Sequence, residues 1–342
     1  MKYNRLGRTG LRVSEVCMGT MTFGGVTDED EAQKIFDRCI EKGVNFFDTA
    51  NAYTGGQSER ILGAFIKEHR KDLVIATKVY NPQGSGPNEM GLSRKHIIQA
   101  CEDSLRRLDT DYIDLYQVHA DDRETPLEET LSALDQLVRD GKVRYIGASN
   151  HTAWHLSDAL WTSETHGLAR YECLQPLYNL VERGLDQEVL PLCRDKGVGV
   201  IAWSPLAGGW LTGKYRGEVP DDARLNDQGR PPMGATVDRE QILDALINVA
   251  KGVGASPAQV ALRWVMNQDG LTSAIVGARN VEQLDDNLGA ADLELDGDAW
   301  KTLDRASRLP LTYPSGLALI MERRRQAGAT PERVITAGPV TH

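Results

Sequence analysis

Residues Asp111–His119 read DYIDLYQVH. Within them, Ile113–Val118 is apolar apart from Asp114 and Gln117, and it is too short for a helix. Such a run fits a strand buried on both faces, as parallel strands are. A helical pattern, Arg94–Leu108, precedes it, and Ser93 stands where an N-cap belongs. Another helical pattern follows. It opens near Pro126, a first-turn proline, and ends before Gly141. Helix, buried strand, helix is the repeating unit of a parallel α/β sheet.

The unit recurs in both directions along the chain. Upstream, strands are expected at Val13–Met18, Asn45–Thr49 and Leu73–Val79, with a helix at Asp28–Lys42 that stops at Gly43. Downstream, strands are expected at Arg144–Ala148, Glu172–Leu177, Val198–Trp203 and Ser273–Val276. Eight strands with intervening helices point to a closed (β/α)8 TIM barrel, and an open doubly wound sheet is the alternative. Lys2–Val13 reads as a β-hairpin turning at Arg8-Thr9-Gly10 and closing the bottom of the barrel. The spacing breaks after the seventh strand. There the Gly/Pro/Asp-rich Gly208–Thr236 predicts a long loop, followed by two helices. The whole chain, 1–342, reads as one barrel domain, with a tail from about residue 309 that holds a further helix, Gly316–Gln326.

Gross composition narrows the function. The net charge of -10 argues against a general nucleic-acid binder, which needs a basic face. Cys17, Cys39, Cys101, Cys173 and Cys193 are far apart and odd in number, which fits reduced thiols in the cytoplasm. The N-terminus has no apolar signal segment, and no run approaches a membrane span. The sequon-like Asn150-His151-Thr152 therefore carries little meaning.

Polar residues at the C-terminal ends of barrel strands face the active-site mouth. That rule collects Asp48 and Tyr53, Lys78, His119, Ser149 and Asn150, Gln175 with Tyr178 and Asn179 beyond it, and Trp203 with Ser204. Singly, each is more simply a cap, a packing group or a solvated tip. Together, four titratable groups on three consecutive strand ends converge on one rim. A phenol is a weak acid at neutral pH, with a reference value of about 10. A neighbouring ammonium favours its ionised form. Asp48 would keep a buried Lys78 charged, and His119 would hydrogen-bond a substrate oxygen. The set amounts to a general acid, its tuner, the tuner's counter-ion and an orienting group.

The segments FFDTANAYTGGQSERILGAF, ATKV, DYIDLYQVH, GASN, LQPLYN and AWSPLAGGWLTGKY fall on these strands in order. They resemble the aldo-keto reductases, of the bacterial NADPH-dependent type and similar also to potassium-channel β subunits. The resemblance runs from Arg5 to about Ala291. It implies a catalytic tetrad of Asp48, Tyr53, Lys78 and His119. It implies that Ser149, Asn150 and Gln175 bind the nicotinamide carboxamide, with Trp203 stacked on the ring where a Tyr is common in the family. Gly19, Thr20 and Met21 would also touch the cofactor. Ser204–Lys214, including Pro205, Leu206, Gly208 and Lys214, would wrap the pyrophosphate. Gly277, Arg279, Gln283, Asp286 and Asn287 would hold the adenosine and its 2′-phosphate. Arg279 is the natural phosphate partner, which favours NADPH over NADH. Two positions depart from the family pattern: Ala278 lacks a hydroxyl, and Asp286 is shorter than the usual Glu.

Other motifs do not hold. No Gly-x-Gly-x-x-Gly follows a strand. GGWLTGK at Gly208–Lys214 nears a phosphate loop, but Tyr215 replaces the magnesium-binding Ser or Thr. His151 and His155 have the i,i+4 spacing of a zinc helix, yet Thr152 stands where its base Glu would be, so no metal is expected. Trp154, Leu156 and Leu160 read as the core face of that helix. Tyr80 and His151, beside motif residues, are candidates to line the substrate pocket with Tyr53 and His119. Specificity is expected from loops Met21–Val26, Tyr80–Gly91, Ala120–Glu124, Gly208–Thr236 and the tail. The leading expectation is an NADPH-dependent reductase of aldehydes or ketones. The alternatives are a dehydrogenase of a sugar or secondary alcohol, and a cofactor-sensing regulatory subunit. A small-molecule carbonyl partner is expected, with homo-oligomerisation left open.

Overall fold

The computed structural model of the protein describes residues 1–216, 238–310 and 312–326. Most of the predicted loop Gly208–Thr236, and the tail beyond Gln326, lie outside the described residues.

The barrel is borne out. Eight parallel strands close in the order β10-β3-β4-β5-β6-β7-β8-β9, which excludes the open sheet. They are β3 (Val16–Gly19), β4 (Phe46–Asp48), β5 (Val74–Val79), β6 (Ile113–Val118), β7 (Val143–Ser149), β8 (Tyr171–Gln175), β9 (Gly199–Ala202) and β10 (Leu271–Val276). Around them lie α1 (Glu29–Glu41), α2 (Gln57–Ile66), α3 (Arg94–Leu108), α4 (Leu127–Arg139), α5 (Ala153–His166), α6 (Val189–Lys196), α7 (Arg239–Val253), α8 (Pro257–Met266), α9 (Val281–Gly289), α10 (Gly297–Ser307) and α11 (Ser315–Gln326). Ser93 caps α3 as read, accepting from the His96 N–H, while Asp28, read as the first residue of its helix, is the N-cap of α1 and accepts from the Glu31 N–H.

The predicted first strand divides in two. Arg12–Ser14 is β2 and pairs antiparallel with β1 (Tyr3–Arg5), while the barrel strand begins at Val16. The chain changes partner at Glu15, whose N–H donates to Lys2 O and whose carbonyl accepts from the Ala274 N–H. An apolar run cannot show such a change. The β1–β2 hairpin does close the bottom of the barrel. Gly7, in the left-handed region at φ +55, lies so close to the starts of β8 and β9 that a Cβ would fall 2.6 Å from Glu172 O and from Gly197 O.

Two apolar clusters divide the sheet. Cys17, Phe46, Val74, Ala76, Leu115, Cys173 and Ile201 fill the barrel interior, with Leu6 and Val13 plugging its base. Their neighbours along the same strands, among them Met18, Phe47, Ile75, Tyr116, Leu174 and Val200, pack outward against the helices. Successive strand residues alternate faces. Two residues beyond the interior apolar positions, the same inward face therefore carries Asp48, Lys78, Gln117 and Gln175. This alternation delivers polar groups to the C-terminal mouth.

Near α5 the sequence expectation needs correction. Trp154 is 57% exposed, and His155, Leu156, Ala159 and Leu160 form the buried face of α5 instead. In α10, Trp300 stacks on Trp264, and Leu303 is buried. Among the described residues, no helix is long and apolar enough to cross a membrane.

Candidate active site

Asp48, Tyr53, Lys78 and His119 come together at the mouth, each for a local reason. Asp48 ends β4, and its register partner is Ala76 of β5. Lys78 is two residues further along β5, and it pairs with Gln117 of β6. Tyr53 opens a 3-10 turn, Tyr53–Gly56, in which Thr54, Gly55 and Gly56 have positive φ. His119 follows β6 directly, and its N–H donates to Val79 O.

The Lys78 side chain is 0% exposed, and its three N–H groups have three acceptors. They are Asp48 Oδ1, in direct ion-pair contact, Thr49 O at 2.8 Å and the Tyr53 hydroxyl at 3.2 Å. Burial by itself would push the ammonium down. The Asp48 carboxylate and the Tyr53 oxygen outweigh burial and hold Lys78 above its ordinary value. The ammonium also lies 4.9 Å from the centre of the Tyr53 ring.

Two glutamines complete the Asp48 site. Gln175 Nε2 donates to Asp48 Oδ2 at 2.8 Å, and Gln117 Nε2 donates to the same oxygen at 3.1 Å. The Gln175 amide nitrogen also meets Gln117 Oε1 at 3.2 Å. Because that nitrogen is committed inward, any group Gln175 offers a ligand is its Oε1. Gln117 lies within its strand, so a rule that takes only strand ends passes over it, although alternation from interior Leu115 marks it as inward-facing. Gly147 makes room for it, since a Cβ there would come within 3.3 Å of Gln117 Cγ and 2.5 Å of Cys173 Sγ.

His119 is held as a neutral imidazole of one tautomer. Burial, with the Lys78 ammonium adding to it, pushes its pKa down to about 3. Asn81 Nδ2 lies 3.1 Å from His119 Nδ1. An amide N–H only donates, so Nδ1 accepts and Nε2 carries the proton. The His119 ring meets the Tyr53 ring edge-on, with centroids 5.8 Å apart. Asn81 lies on an irregular loop, where no sequence period marks it.

The positions implied for a nicotinamide form a linked chain. Trp203 Nε1 donates to Asn150 Oδ1 at 3.0 Å. Asn150 Nδ2 donates to Ser149 Oγ at 2.9 Å and to His119 O at 3.0 Å, and Ser149 Oγ donates to Gln175 O at 2.7 Å. Asn150, Ser204 and Ala207 hold positive φ without being glycine, a local strain that clusters at ligand sites. Gly208 and Gly209 continue that turn with positive φ, and the Lys214 side chain folds back over Gly209.

Among the positions that the resemblance implies for the adenosine, the turn before α9 is well ordered by hydrogen bonds, with Asn280 capping the helix. Gln283 Oε1 accepts from the Arg279 N–H at 3.0 Å, and Asn287 donates to Gly277 O. Asp286 is engaged by Ser256 Oγ at 3.1 Å. Glu31 Oε1 takes the Val281 N–H at 3.1 Å, so that first-turn donor of α9 is spoken for.

Several predicted residues sit elsewhere. The Thr20 hydroxyl is buried, donating to Asp48 O and bonding Ser58, so this side chain faces inward. Tyr178 and Asn179 do not reach the rim. Tyr178 donates to Asp186, while Asn179 organises the turn that follows β8. Tyr80 packs against the outer apolar layer. His151 is 5% exposed and stacks on His155 between α5 and the sheet, so its ring does not line the mouth.

Comparison with known proteins agrees with this architecture. The profile of the Aldo/keto reductase family matches residues 15–308. The chain is 42% identical over 316 residues to an uncharacterized oxidoreductase, YrpG, of Bacillus subtilis, covering 89% of this chain and 95% of that protein. It is 38% identical over 302 residues to a probable voltage-gated potassium channel subunit beta of Arabidopsis thaliana, covering 86% and 92%. A putative subunit of the same description from Schizosaccharomyces pombe is 36% identical over 301 residues, covering 84% and 87%.

Proposed function

This chain belongs to the aldo/keto reductase family of oxidoreductases, and from that premise we propose that it reduces aldehydes or ketones to alcohols with NADPH, reversibly, Tyr53 giving the proton. The observation that carries the reading is the Lys78 ammonium, fully buried, fully partnered and 3.2 Å from the Tyr53 hydroxyl.

The donor set fits a nicotinamide dinucleotide. Ser149, Asn150 and Gln175 offer amide and hydroxyl groups for a carboxamide, beside the half-exposed indole of Trp203. Gly19, Thr20 and Met21 offer backbone at the adjoining rim. Ser204, Pro205, Leu206, Gly208 and Lys214 provide a tight turn and a cation for the pyrophosphate. Gly277, Arg279, Gln283, Asp286 and Asn287 surround the adenosine end. The case for NADPH over NADH rests on the Arg279 guanidinium, because Glu31 already takes a first-turn N–H of α9.

When bound, NADPH supplies the hydride that reaches the carbonyl carbon. His119 Nε2–H donates to the carbonyl oxygen and sets its angle. Tyr53 passes its hydroxyl proton to that oxygen as negative charge develops there. The phenolate oxygen left behind faces the Lys78 ammonium, whose charge Asp48 maintains. Gln117 and Gln175 fix the Asp48 carboxylate, so little reorganisation accompanies the proton transfer. A dry, preorganised site of this kind gives electrostatic terms more weight than water would.

A second reading, a cofactor-sensing regulatory subunit, draws on the relatives named as channel β subunits. A sugar or secondary-alcohol dehydrogenase is the third. A panel of aldehydes and ketones, followed by loss of NADPH absorbance and repeated with NADH, tests all three. Turnover with NADPH is the expected result. Cofactor binding without turnover on any carbonyl would favour the regulatory reading, and faster alcohol oxidation at cellular cofactor ratios would favour the dehydrogenase.

A further inference from the structure

Beside the tetrad lies another group of ligating side chains with no part in it. Asp121 stands two residues beyond His119, on the loop after β6. His151 follows Asn150 after β7, and His155 is in the first turn of α5. One ligand atom from each lies within 4.8 Å of the others. The sequence spacing misrepresents this cluster. His151 precedes the helix, which starts at Ala153 behind its N-cap Thr152, so the two imidazoles are not a helical pair. Their rings nonetheless lie nearly parallel, 9° apart in tilt with centroids at 5.5 Å. The third member arrives from the loop after β6, the strand paired with β7.

Hydrogen bonds from outside the cluster leave its ligand atoms to one another. His151 Nδ1 lies 3.0 Å from Ser149 O, and a carbonyl only accepts. Nδ1 therefore carries the proton, and the lone pair is on Nε2. A backbone carbonyl that fixes the tautomer in this way is the usual support of a metal-binding histidine. His155 Nδ1 and Asp121 Oδ1 face each other in contact. Both atoms are closed off from solvent, and neither has a hydrogen-bond partner. Their approach lacks the alignment a hydrogen bond needs. The other Asp121 oxygen accepts from Arg123 Nε at 2.9 Å, leaving Oδ1 to the histidines. Arg123 is the facing positive charge, and its exposed side chain lies over Trp154 at the surface.

We propose that Asp121, His151 and His155 form a binding site for a divalent transition-metal ion of the zinc class. Two imidazole nitrogens and one carboxylate oxygen are a common ligand set for that ion, with a fourth position left to water. The ion would tie the loop that carries His119 to the segment that carries Ser149 and Asn150. Asn150 already donates to His119 O across the same gap, at 3.0 Å. The site is a structural clamp, with no hydrolytic role, since Thr152 provides no general base. It is independent of the proton-transfer reading, because binding is measured without turnover.

The test uses the full chain, stripped with a chelator and dialysed, then titrated with Zn²⁺ alone. Equilibrium dialysis should find one tight equivalent per chain. Asp121→Asn and His155→Gln should each weaken it at least tenfold, in the range expected when ligation is impaired. At a hundredfold excess over Kd, Zn²⁺ should raise Tm by about 4 °C in the native chain and by much less in either variant. In the native chain, Zn²⁺ should also move the imidazole NMR signals of His151 and His155 and leave those of His69, His96 and His166 in place, a measurement that needs no variant to fold. Absence of a saturable equivalent, binding undiminished in both variants, or shifts confined to other histidines would overturn the proposal.

Discussion

Replacing Asp48 by Asn isolates the electrostatic core of the site. The change keeps shape but removes the negative charge facing an ammonium that is 0% exposed. It also puts an N–H₂ group where Oδ2 now accepts from both Gln117 and Gln175. Breaking a buried pair by removing one partner costs about 3–5 kcal/mol. Lys78 can escape by giving up its proton. From a reference pKa of about 10.4, holding it neutral at pH 7 costs about 4.6 kcal/mol, so that route caps the loss near the same figure. The expected penalty at pH 7 is therefore about 4 kcal/mol, or a fall in Tm on the order of 6 °C. The sign of the pH dependence follows from the direction of the Lys78 shift. The native Lys78 is raised above its unfolded value, so its contribution is complete below about pH 10.4 and is lost only as pH rises through the folded value. In the variant, burial depresses Lys78, so the penalty shrinks as pH climbs from 7 toward 10. Urea unfolding of both proteins at unit steps over that range measures the gap. The double variant Asp48→Asn/Lys78→Met should recover part of the loss, because no unpaired charge is left buried. A gap below about 1 kcal/mol at pH 7, or one that does not narrow with pH, would refute the reasoning.

The remaining predictions concern the chemistry. Tyr53→Phe keeps the ring beside the ammonium and loses the proton, so kcat should fall about 10³-fold while cofactor affinity by fluorescence titration stays within twofold; near-normal turnover would remove Tyr53 from the role of acid. Asn81→Leu frees His119 to adopt the wrong tautomer, and kcat/KM should fall about tenfold with NADPH affinity unchanged, an unaltered rate showing that Asn81 does not set the proton position. Folded His119 titrates at about 3 against about 6.5 unfolded, so protonation favours unfolding only as pH falls from about 6.5 toward 3. The native pH–rate profile should accordingly show no loss with a midpoint near 6.5, and such a midpoint would contradict the buried, neutral imidazole. Arg279→Ala should weaken NADPH at least tenfold more than NADH in parallel binding titrations, whereas equal losses would take the 2′-phosphate away from Arg279.

Much of this protein could be read from its sequence because local patterns encode local geometry. Runs such as Ile113–Val118 carry the mark of a strand buried on both faces, and Ser93 and Asp28 mark where helices begin. With the two-residue alternation of strands, those signals put Asp48, Lys78 and His119 at neighbouring strand ends. The change of partner at Glu15 was not legible, since an apolar run looks the same whether it pairs once or twice. Nor were the long-range contacts. Gln117 and Gln175 lock Asp48 across three strands, Asn81 sets the His119 tautomer from a loop, and Asp121 meets two histidines that the sequence presents as a helical pair. Each of these is a meeting of side chains far apart in the chain. The sequence by itself determined which face each strand residue would take. Only closure of the barrel decided which of those faces would touch.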